Sequence, residues 1–200
     1  MRRTDHLTAL CAVAAFAAGC SSTPPSSFYT LSHAAPPAAT STAPTSQLSV
    51  VVGPVSIPAL VDQPQMVVST GPNQISMDEF HRWASPLASD ISRVVAENLV
   101  AMLGTPRVSQ FQQALNAPAD YRVAIEVQSF VSEPGEAATL NAVWIVRSTK
   151  DGKTETGRTA LREPASDKGY DALVAAHSRA LARMSQDIAD ALRALDRSAP

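Results

Sequence analysis

The chain has 200 residues, of which 45% are hydrophobic and only 5% are aromatic. This composition can build one modest core of Ala, Val, Leu and Ile, so we expect a single folded domain. Lys and Arg together number 16 against 18 Asp and Glu, for a formal net charge of −2. Because there is no basic excess, nucleic acid is not an expected partner.

The first 19 residues have the features of an export signal. Two arginines follow Met1, and the apolar run from Leu7 to Ala18 is shorter than the ~20 residues that a bilayer-spanning helix needs. Small residues then lead to Cys20. This order predicts a lipoprotein signal peptide over residues 1–19 and acylation of Cys20, where two or more acyl chains make a stable anchor. The alternative is an ordinary secretory signal cleaved near Gly19.

The cysteine content agrees with this interpretation. The chain has 2 cysteines, and Cys11 lies inside the segment to be removed. The mature chain would keep only Cys20, so no disulfide or metal framework is expected.

Residues 20–46 are predicted to form the lipidated cysteine and a tether. Ser, Thr, Pro and Ala dominate this stretch and cannot bury enough apolar surface to offset the entropy of ordering. Phe28–Leu31 interrupts it as an apolar island, which we interpret as a short edge strand (residues 28–31) that can pair with the domain.

The domain itself is predicted to span residues 47–196. Its first half should hold a strand over residues 49–58 that bends at Gly53-Pro54, and then two short strands over residues 65–69 and 74–77, together forming a β-meander at a sheet edge. Pro86 suits the first position of a helix, and the helical spacing of apolar residues continues to Leu103 before Gly104 and Pro106 end it.

The second half alternates in a way that is typical of half-buried strands. Strands are predicted near residues 107–109 and over residues 121–132, 138–148 and 154–162, with Asp151-Gly152 as a hairpin signal. Apolar residues from Tyr170 to Leu195 then step by three and four, which predicts a helix with Asp167 as its cap. The order predicts an α+β fold: a single domain whose mainly antiparallel sheet carries two helices on one face.

No motif of a hydrolase, a phosphate loop or a metal site is present in the sequence, so neither catalysis nor a cofactor is expected. The segment Asp78–Trp83 holds two carboxylates and an imidazole, but a solvated turn that leads into the helix explains it more simply than a metal or acid/base site. His177 is interpreted as a core or interface histidine. Trp83 and Trp144 are interpreted as core anchors rather than as the walls of a lipid-contacting groove.

Several stretches together resemble the PqiC/YmbA family. They share the order and composition of that family's segments and cover nearly the whole mature chain: Phe28–Leu31, Val52–Pro58, Asp62–Val68, Arg82–Leu87 and Glu97–Leu99, with Cys20 before them. These proteins are auxiliary lipoproteins of transport systems that contain MCE-domain proteins.

The resemblance implies a non-enzymatic, lipid-anchored subunit on the periplasmic face of the outer membrane, an address that Ser21 also favours. Its expected partner is an MCE-domain (PqiB-like) protein that spans the periplasm, together with the inner-membrane partner of that protein. The implied roles are docking of the conduit, intermembrane lipid transport and membrane integrity. A homo-oligomer would match a symmetric conduit, although the sequence sets no copy number.

We predict the docking face from proline-framed, partly apolar loops. Such loops expose backbone and side chains that the local structure does not require, so these groups are available to a partner. The candidates come from the loop over residues 57–64 and the Asp78–Trp83 segment, and are Ile57, Pro58, Asp62, Pro64, Asp78, Glu79, Arg82 and Trp83. The alternatives from other classes are a periplasmic lipid-binding carrier, a purely structural envelope lipoprotein, and an envelope hydrolase, for which no activated nucleophile is recognisable.

Overall fold

A computed structural model describes residues 24–33, 47–111 and 118–198. Eight strands and two helices follow one another in these residues. The strands are β1 (Ser27–Tyr29), β2 (Val50–Ser56), β3 (Gln65–Gly71), β4 (Gln74–Trp83), β5 (Val108–Gln110), β6 (Tyr121–Glu133), β7 (Ala137–Ser148) and β8 (Thr154–Pro164). Helix α1 (Leu87–Leu103) lies between β4 and β5, and helix α2 (Tyr170–Arg197) follows β8. The predicted α+β fold and its two helices are confirmed.

The strands form one curled sheet in the order β1, β4, β3, β6, β2, β5, with β7 and β8 continuing from β6. Most paired residues belong to three antiparallel pairs, which are β3 with β4, β6 with β7, and β7 with β8. Parallel pairs join β1 to β4, and β2 to β5 and β6. The sheet is therefore mixed, although its longest ladders are antiparallel.

The long strand β6 organises this topology. Its first half pairs with β2, from Tyr121 to Glu126, and its second half pairs with β3 at Ser132. The predicted meander of the first three domain strands is therefore wrong, because β6 lies between β2 and β3. A local sequence pattern finds a strand but does not fix which distant strand becomes its neighbour.

Several boundaries and details differ from the sequence predictions, and three of them bear on the site. β4 continues to Trp83, so the Asp78–Trp83 segment is strand and not a turn. Gly169 caps α2 with no side-chain hydrogen bond, and Asp167 instead accepts a hydrogen bond from the Gly169 N–H, so the cap prediction for Asp167 is wrong. β3 also runs to Gly71, two residues beyond the predicted strand.

The two helices pack against each other and on the sheet, α1 on β2 and β5 and α2 on β6, β7 and β8. α1 ends at Gly104, whose positive φ of 64° lets its N–H reach the Val100 carbonyl at 3.0 Å. The core between helices and sheet is aliphatic, as the composition predicts, and its fully buried members include Ile91, Leu99, Leu140, Leu173, Leu181, Met184, Ile188 and Leu192.

The residues from Ser27 to Ser32, which we call the strap, lie against this body. Ser27 to Tyr29 pair with His81 to Trp83 in parallel, and the Ala84 N–H donates to the Tyr29 carbonyl at 2.8 Å. Leu31 is buried at 1% exposure. The short strand predicted from the apolar island is thus an edge strand, one residue earlier than expected.

The predicted signal peptide, Cys20 and most of the predicted tether lie outside the described residues. Within the described part of the chain, neither helix combines the length and the hydrophobicity that a membrane crossing needs.

Candidate functional site

The loop over residues 57–64 and the end of β4 meet at one place. The Pro58 carbonyl accepts hydrogen bonds from the N–H groups of Val61 and Asp62, at 3.0 and 3.2 Å, and so closes a turn. The Trp83 N–H donates to the Pro64 carbonyl at 2.8 Å. These backbone bonds hold the loop against the entry to α1.

An open groove of about 390 Å³ lies at this junction. Trp83 and Leu87 are buried at 7% and 2% exposure and form its floor. The remaining lining residues are Asp62, Gln63, Pro64, Ala84, Ser85 and Pro86. Only Asp62 among the lining residues carries a formal charge, so the groove is suited to a partly apolar segment rather than to a charged ligand.

The floor of the groove is rigid because it belongs to the core. The Trp83 ring packs edge to face on Phe130, with ring centroids 6.2 Å apart and planes at 65°. Trp83 packs in the core and also lines the groove, so its interpretation as a core anchor and its selection as a docking candidate are compatible.

Among the predicted docking residues, Asp62, Pro64 and Trp83 line the groove, and Pro58 shapes its loop. Ile57 packs against the core and is partly buried. The docking role of these residues stays a prediction.

Glu79 and Arg82 lie on the exposed surface of β4 instead of in the groove. Arg82 Nη2 lies 3.1 Å from Glu79 Oε2, and Arg82 Nε donates to the Glu79 carbonyl at 3.0 Å. Such an exposed ion pair contributes little to stability, so both side chains can exchange partners readily.

The Asp78 side chain points to the helix side of the sheet and accepts hydrogen bonds from within the domain. It accepts hydrogen bonds from the Phe80 N–H at 2.9 Å, the His81 N–H at 3.1 Å and the Tyr170 hydroxyl at 2.8 Å. Burial alone would raise the pKa of Asp78, but the contacts from His81, Tyr170 and the Phe80 N–H outweigh it and lower the pKa to about 2. Asp78 therefore holds the fold together, which argues against a docking role for its carboxylate.

His81 completes this cluster by stacking. Its ring lies 3.9 Å from that of Tyr170, with an interplanar angle of 11°, and 5.8 Å from that of Tyr29. Its Nδ1 lies 3.0 Å from Asp78 Oδ1 but off the direction of a regular hydrogen bond. The imidazole thus links the strap to α2.

Residues that hold the strap were not found from the sequence. Asp90, at 3% exposure, accepts the Leu31 N–H at 2.7 Å and pairs with Arg93 at 2.6 Å. Arg93 Nη2 in turn donates to the Leu31 carbonyl at 2.6 Å. Asp90 and Arg93 are three residues apart on a predicted helix, which was the available signal, but nothing in the spacing shows that another segment lies between them.

The second histidine of the folded domain, His177, belongs to the core. His177 is fully buried, its Nε2 lies 2.9 Å from Ser132 Oγ, and its ring stacks on Phe130 at 3.7 Å. Burial lowers the pKa of His177 to about 3, so the ring is neutral at pH 7. Within residues 24–33, 47–111 and 118–198, no group of three His, Cys, Asp or Glu side chains is placed to hold a metal ion. His177 is the core histidine that the sequence predicts.

Comparison with known proteins identifies the chain's relatives. A family model described as "ABC-type transport auxiliary lipoprotein component" matches residues 29–189. A search of curated protein sequences gave no match.

Two solved structures share the fold. The crystal structure of an uncharacterized protein has 20% sequence identity and a TM-score of 0.66, with 84% of this chain and 98% of that chain covered. A crystal structure of a protein from Xanthomonas campestris has 18% identity and a TM-score of 0.69, with 86% and 99% covered. At these identities the likeness supports the fold alone.

Proposed function

The chain belongs to the family of ABC-type transport auxiliary lipoprotein components, and on that premise we propose that it is an outer-membrane-anchored docking adaptor. Its partner would be the MCE-domain (PqiB-like) protein that crosses the periplasm from the inner membrane. In this role the subunit supports intermembrane lipid transport and membrane integrity without catalysing a reaction. A family of transport auxiliary lipoproteins is not an enzyme family, which agrees with this assignment.

The observation that carries the proposal is the open groove between the loop over residues 57–64 and the start of α1. Its floor of Trp83 and Leu87 is held by the core, and its rim of Pro64, Ala84 and Ser85 is small and weakly polar. A preformed groove of this kind accepts a short segment of a partner at a low entropic cost. This supports docking at the groove over docking at Asp78.

The strap supports the anchoring part of the proposal. Acylated Cys20 would be joined to Ser27 by only seven peptide units, which span at most about 25 Å in any conformation. Because the strap is held by Asp90 and Arg93, the domain would stay close to the leaflet that holds the lipid. Mass analysis of the mature N-terminus tests cleavage and acylation directly, and an unacylated N-terminus would contradict the anchor.

A charged side chain placed in the groove tests the docking site. We expect Ala84→Arg to reduce recovery of the MCE-domain partner in a pull-down from membranes by about tenfold or more, because an unpaired guanidinium would have to be buried. Ala84 is exposed, so the fold should tolerate the change. Ala160→Arg is the matched control, an exposed alanine on β8, and should leave recovery unchanged.

Charge reversal at the exposed β4 pair separates the two predicted parts of the docking face. If the partner covers β4 as well as the groove, Glu79→Lys will weaken recovery and Ala84→Arg will do so too. If Glu79→Lys alone weakens recovery and Ala84→Arg does not, the groove is not the docking site. If both variants recover the partner as well as the native protein does, neither the groove nor the exposed surface of β4 is the docking face.

Self-association is a further part of the proposal, because a symmetric conduit is best matched by a symmetric ring of adaptors. Light scattering on the acylated protein in detergent measures the copy number. A strictly monomeric protein in the presence of its partner would argue against the ring but not against docking.

A further inference from the structure

The end of the β3–β4 hairpin carries exposed apolar side chains that the docking groove does not use. We call Thr70–Met77 the hairpin tip. Ile75 and Met77 are exposed at 45% and 48%. They are two residues apart on a strand, so both point to the same face of the hairpin.

The hairpin tip is also free of charge. No Asp, Glu, Lys, Arg or His lies between Asp62 and Asp78, and the turn between β3 and β4 consists of Pro72 and Asn73. Exposed strands in soluble proteins are commonly protected by charged residues. An uncharged hairpin that exposes Ile and Met is suited to a surface that is itself partly apolar.

The hairpin tip leaves the body of the sheet. β3 pairs with β6 at a single position, Val68 with Ser132. Beyond that point a cleft of about 730 Å³ separates the residues Ser69–Pro72 from the stretch that includes Val131 and Glu136. The tip therefore projects on its own and can contact a flat surface without displacing the domain.

The strap sets where the lipid anchor can lie relative to the hairpin tip. β1 runs parallel to β4, with Ser27 beside His81. The chain before Ser27 therefore leaves β1 on the side toward the hairpin tip. Seven peptide units separate Cys20 from Ser27, and seven separate Gln74 from His81. The longest reach of Cys20 and the length of β4 from His81 to its start are thus equal, at most about 25 Å.

From this match we propose that the hairpin tip is a second membrane contact, in which Ile75 and Met77 enter the interfacial layer of the leaflet that holds the Cys20 lipid. The inference rests on the acylation of Cys20 that is part of the proposed function. A lipid surface is the occupant that the chain geometry favours, because the anchor keeps it within reach of the tip at all times. Docking groove and membrane contact would then lie at opposite ends of the β3–β4 hairpin.

Charges beside the cleft limit how deeply the domain inserts. Glu133 and Glu136 lie next to the tip, and Arg162 Nη2 is 3.1 and 2.9 Å from their carboxylates. Buried charges are costly in hydrocarbon, so this cluster should stay at the level of the head groups. The contact is expected to involve the tip alone and to depend little on salt, because the tip itself has no charge.

A fluorescent probe at the turn tests the contact in the full acylated protein. Asn73→Cys is labelled with an environment-sensitive dye, and Thr156→Cys, an exposed site on β8, is the matched control. The acylated Cys20 does not react with the dye. In vesicles of phosphatidylethanolamine and phosphatidylglycerol, we expect the probe at residue 73 to shift to shorter wavelength, to lose most of its quenching by aqueous iodide and to be quenched by nitroxides on the acyl chains. The probe at residue 156 should show none of these changes.

A second measurement removes the apolar side chains. The double variant Ile75→Ser and Met77→Ser should transfer between vesicles about tenfold faster than the native protein, because two partly buried side chains no longer hold it. Ile145→Ser is the matched control, since Ile145 is exposed at 42% on β7, and its transfer rate should be native.

Each contrary result has a definite meaning. Iodide quenching at residue 73 equal to that at residue 156, in protein shown by mass analysis to be acylated, would overturn the membrane contact and leave the adaptor proposal intact. Protection at residue 73 that appears without vesicles as protein concentration rises, or only when the MCE-domain partner is added, would assign the tip to a second copy or to that partner and would equally overturn it. An unacylated N-terminus would remove the anchor and this inference together.

Discussion

The strap and the hairpin tip lie along the same strand, β4, but they are held in different ways, although Phe28 of the strap is itself 65% exposed. In the strap, Leu31 is buried, and its N–H and carbonyl are bound by the charged side chains of Asp90 and Arg93. In the hairpin tip, Ile75 and Met77 remain exposed and the backbone is held mainly by its partner strand. The difference teaches that polar contacts fix the segment nearest the proposed anchor, while apolar surface is left available where the chain can meet another surface.

The strongest way to break this comparison is to release the strap. Asp90→Ala should lower the free energy of unfolding by about 3 kcal/mol, because Arg93 and the Leu31 N–H lose a buried, charged partner. Chemical denaturation measures the loss, and limited proteolysis should cut before residue 47 sooner than in the native protein. Asp190→Ala is the control: Asp190 pairs with Arg193 on an exposed helix surface and should cost less than about 0.5 kcal/mol. Equal effects of the two changes would mean that the strap is not held by Asp90.

Alanine substitutions at two glycines compare how tightly the body of the sheet and the projecting hairpin are packed. A Cβ on Gly157 would overlap the Trp144 ring, whereas a Cβ on Gly71 would meet nothing closer than 3.8 Å. Gly157→Ala should therefore cost between about 2 and 3 kcal/mol of stability, because Trp144 must leave its place and its hydrogen bond to Thr159. Gly71→Ala should change stability by no more than about 0.5 kcal/mol. Thermal or urea unfolding measures both, and a harmless Gly157→Ala would show that β7 and β8 adjust more freely than the contact implies.

Lowering the pH should destabilise the folded protein through the buried His177 ring. The pKa of His177 is about 3 in the folded protein because of burial, and 6.5 is its ordinary value. The unfolded chain therefore binds the proton more readily, and stability is lost as the pH falls from 6.5 toward 3. Between pH 7.5 and pH 5 we expect a loss of about 2 kcal/mol from this group.

His177→Gln should flatten that part of the pH profile of unfolding, whatever it does to stability at neutral pH. His33→Gln is the control, because the His33 side chain is 62% exposed, and its profile should keep the native slope. A native slope in His177→Gln would mean that other groups cause the acid sensitivity.

The sequence predicts the body of this protein better than its edges. Periodicity located both helices and the strands β6 to β8, because each buries one regular face and the pattern is local. It missed the continuation of β4 through Asp78 to Trp83, because the three hydrogen bonds that Asp78 accepts include one from Tyr170, far along the chain. It also missed the placement of β6 between β2 and β3, which depends on non-local pairing.

The sequence indicates only some of the residues that line the candidate groove, because the groove also depends on contacts between distant segments. The sequence indicates Pro64 through its proline-framed, partly apolar loop and Trp83 through the segment Asp78–Trp83. Ala84 and Ser85, which complete the rim, have small side chains with no chemical signal. The bond from the Trp83 N–H to the Pro64 carbonyl and the adjacent pairing of Gln65 with Arg82 bring the four together, and both join residues that are far apart in the sequence.

The mildest test concerns the joint between the strap and α2. Tyr170→Phe keeps a ring that can stack on His81 but removes the hydroxyl that donates to Asp78 at 2.8 Å. We expect a loss of about 1 kcal/mol at pH 7. The pKa of Asp78, about 2 in the native protein, should rise toward its ordinary value of 3.8, which NMR titration of the carboxyl measures. A lowered pKa stabilises the fold above pH 3.8, and this stabilisation is lost as the pH falls toward 2. Native protein and variant should therefore converge in stability over that range.

The control is Tyr121→Phe, because the Tyr121 hydroxyl lies a long 3.5 Å from Asp196. This variant should differ from the native protein by less than about 0.5 kcal/mol. If Tyr170→Phe behaves like this control, ring stacking and the hydrogen bond from the Ser32 N–H to Ser178 Oγ at 3.1 Å are enough to join the strap to α2. The contrast with the hairpin tip would then depend on Asp90 and Arg93 rather than on the Tyr170 hydroxyl.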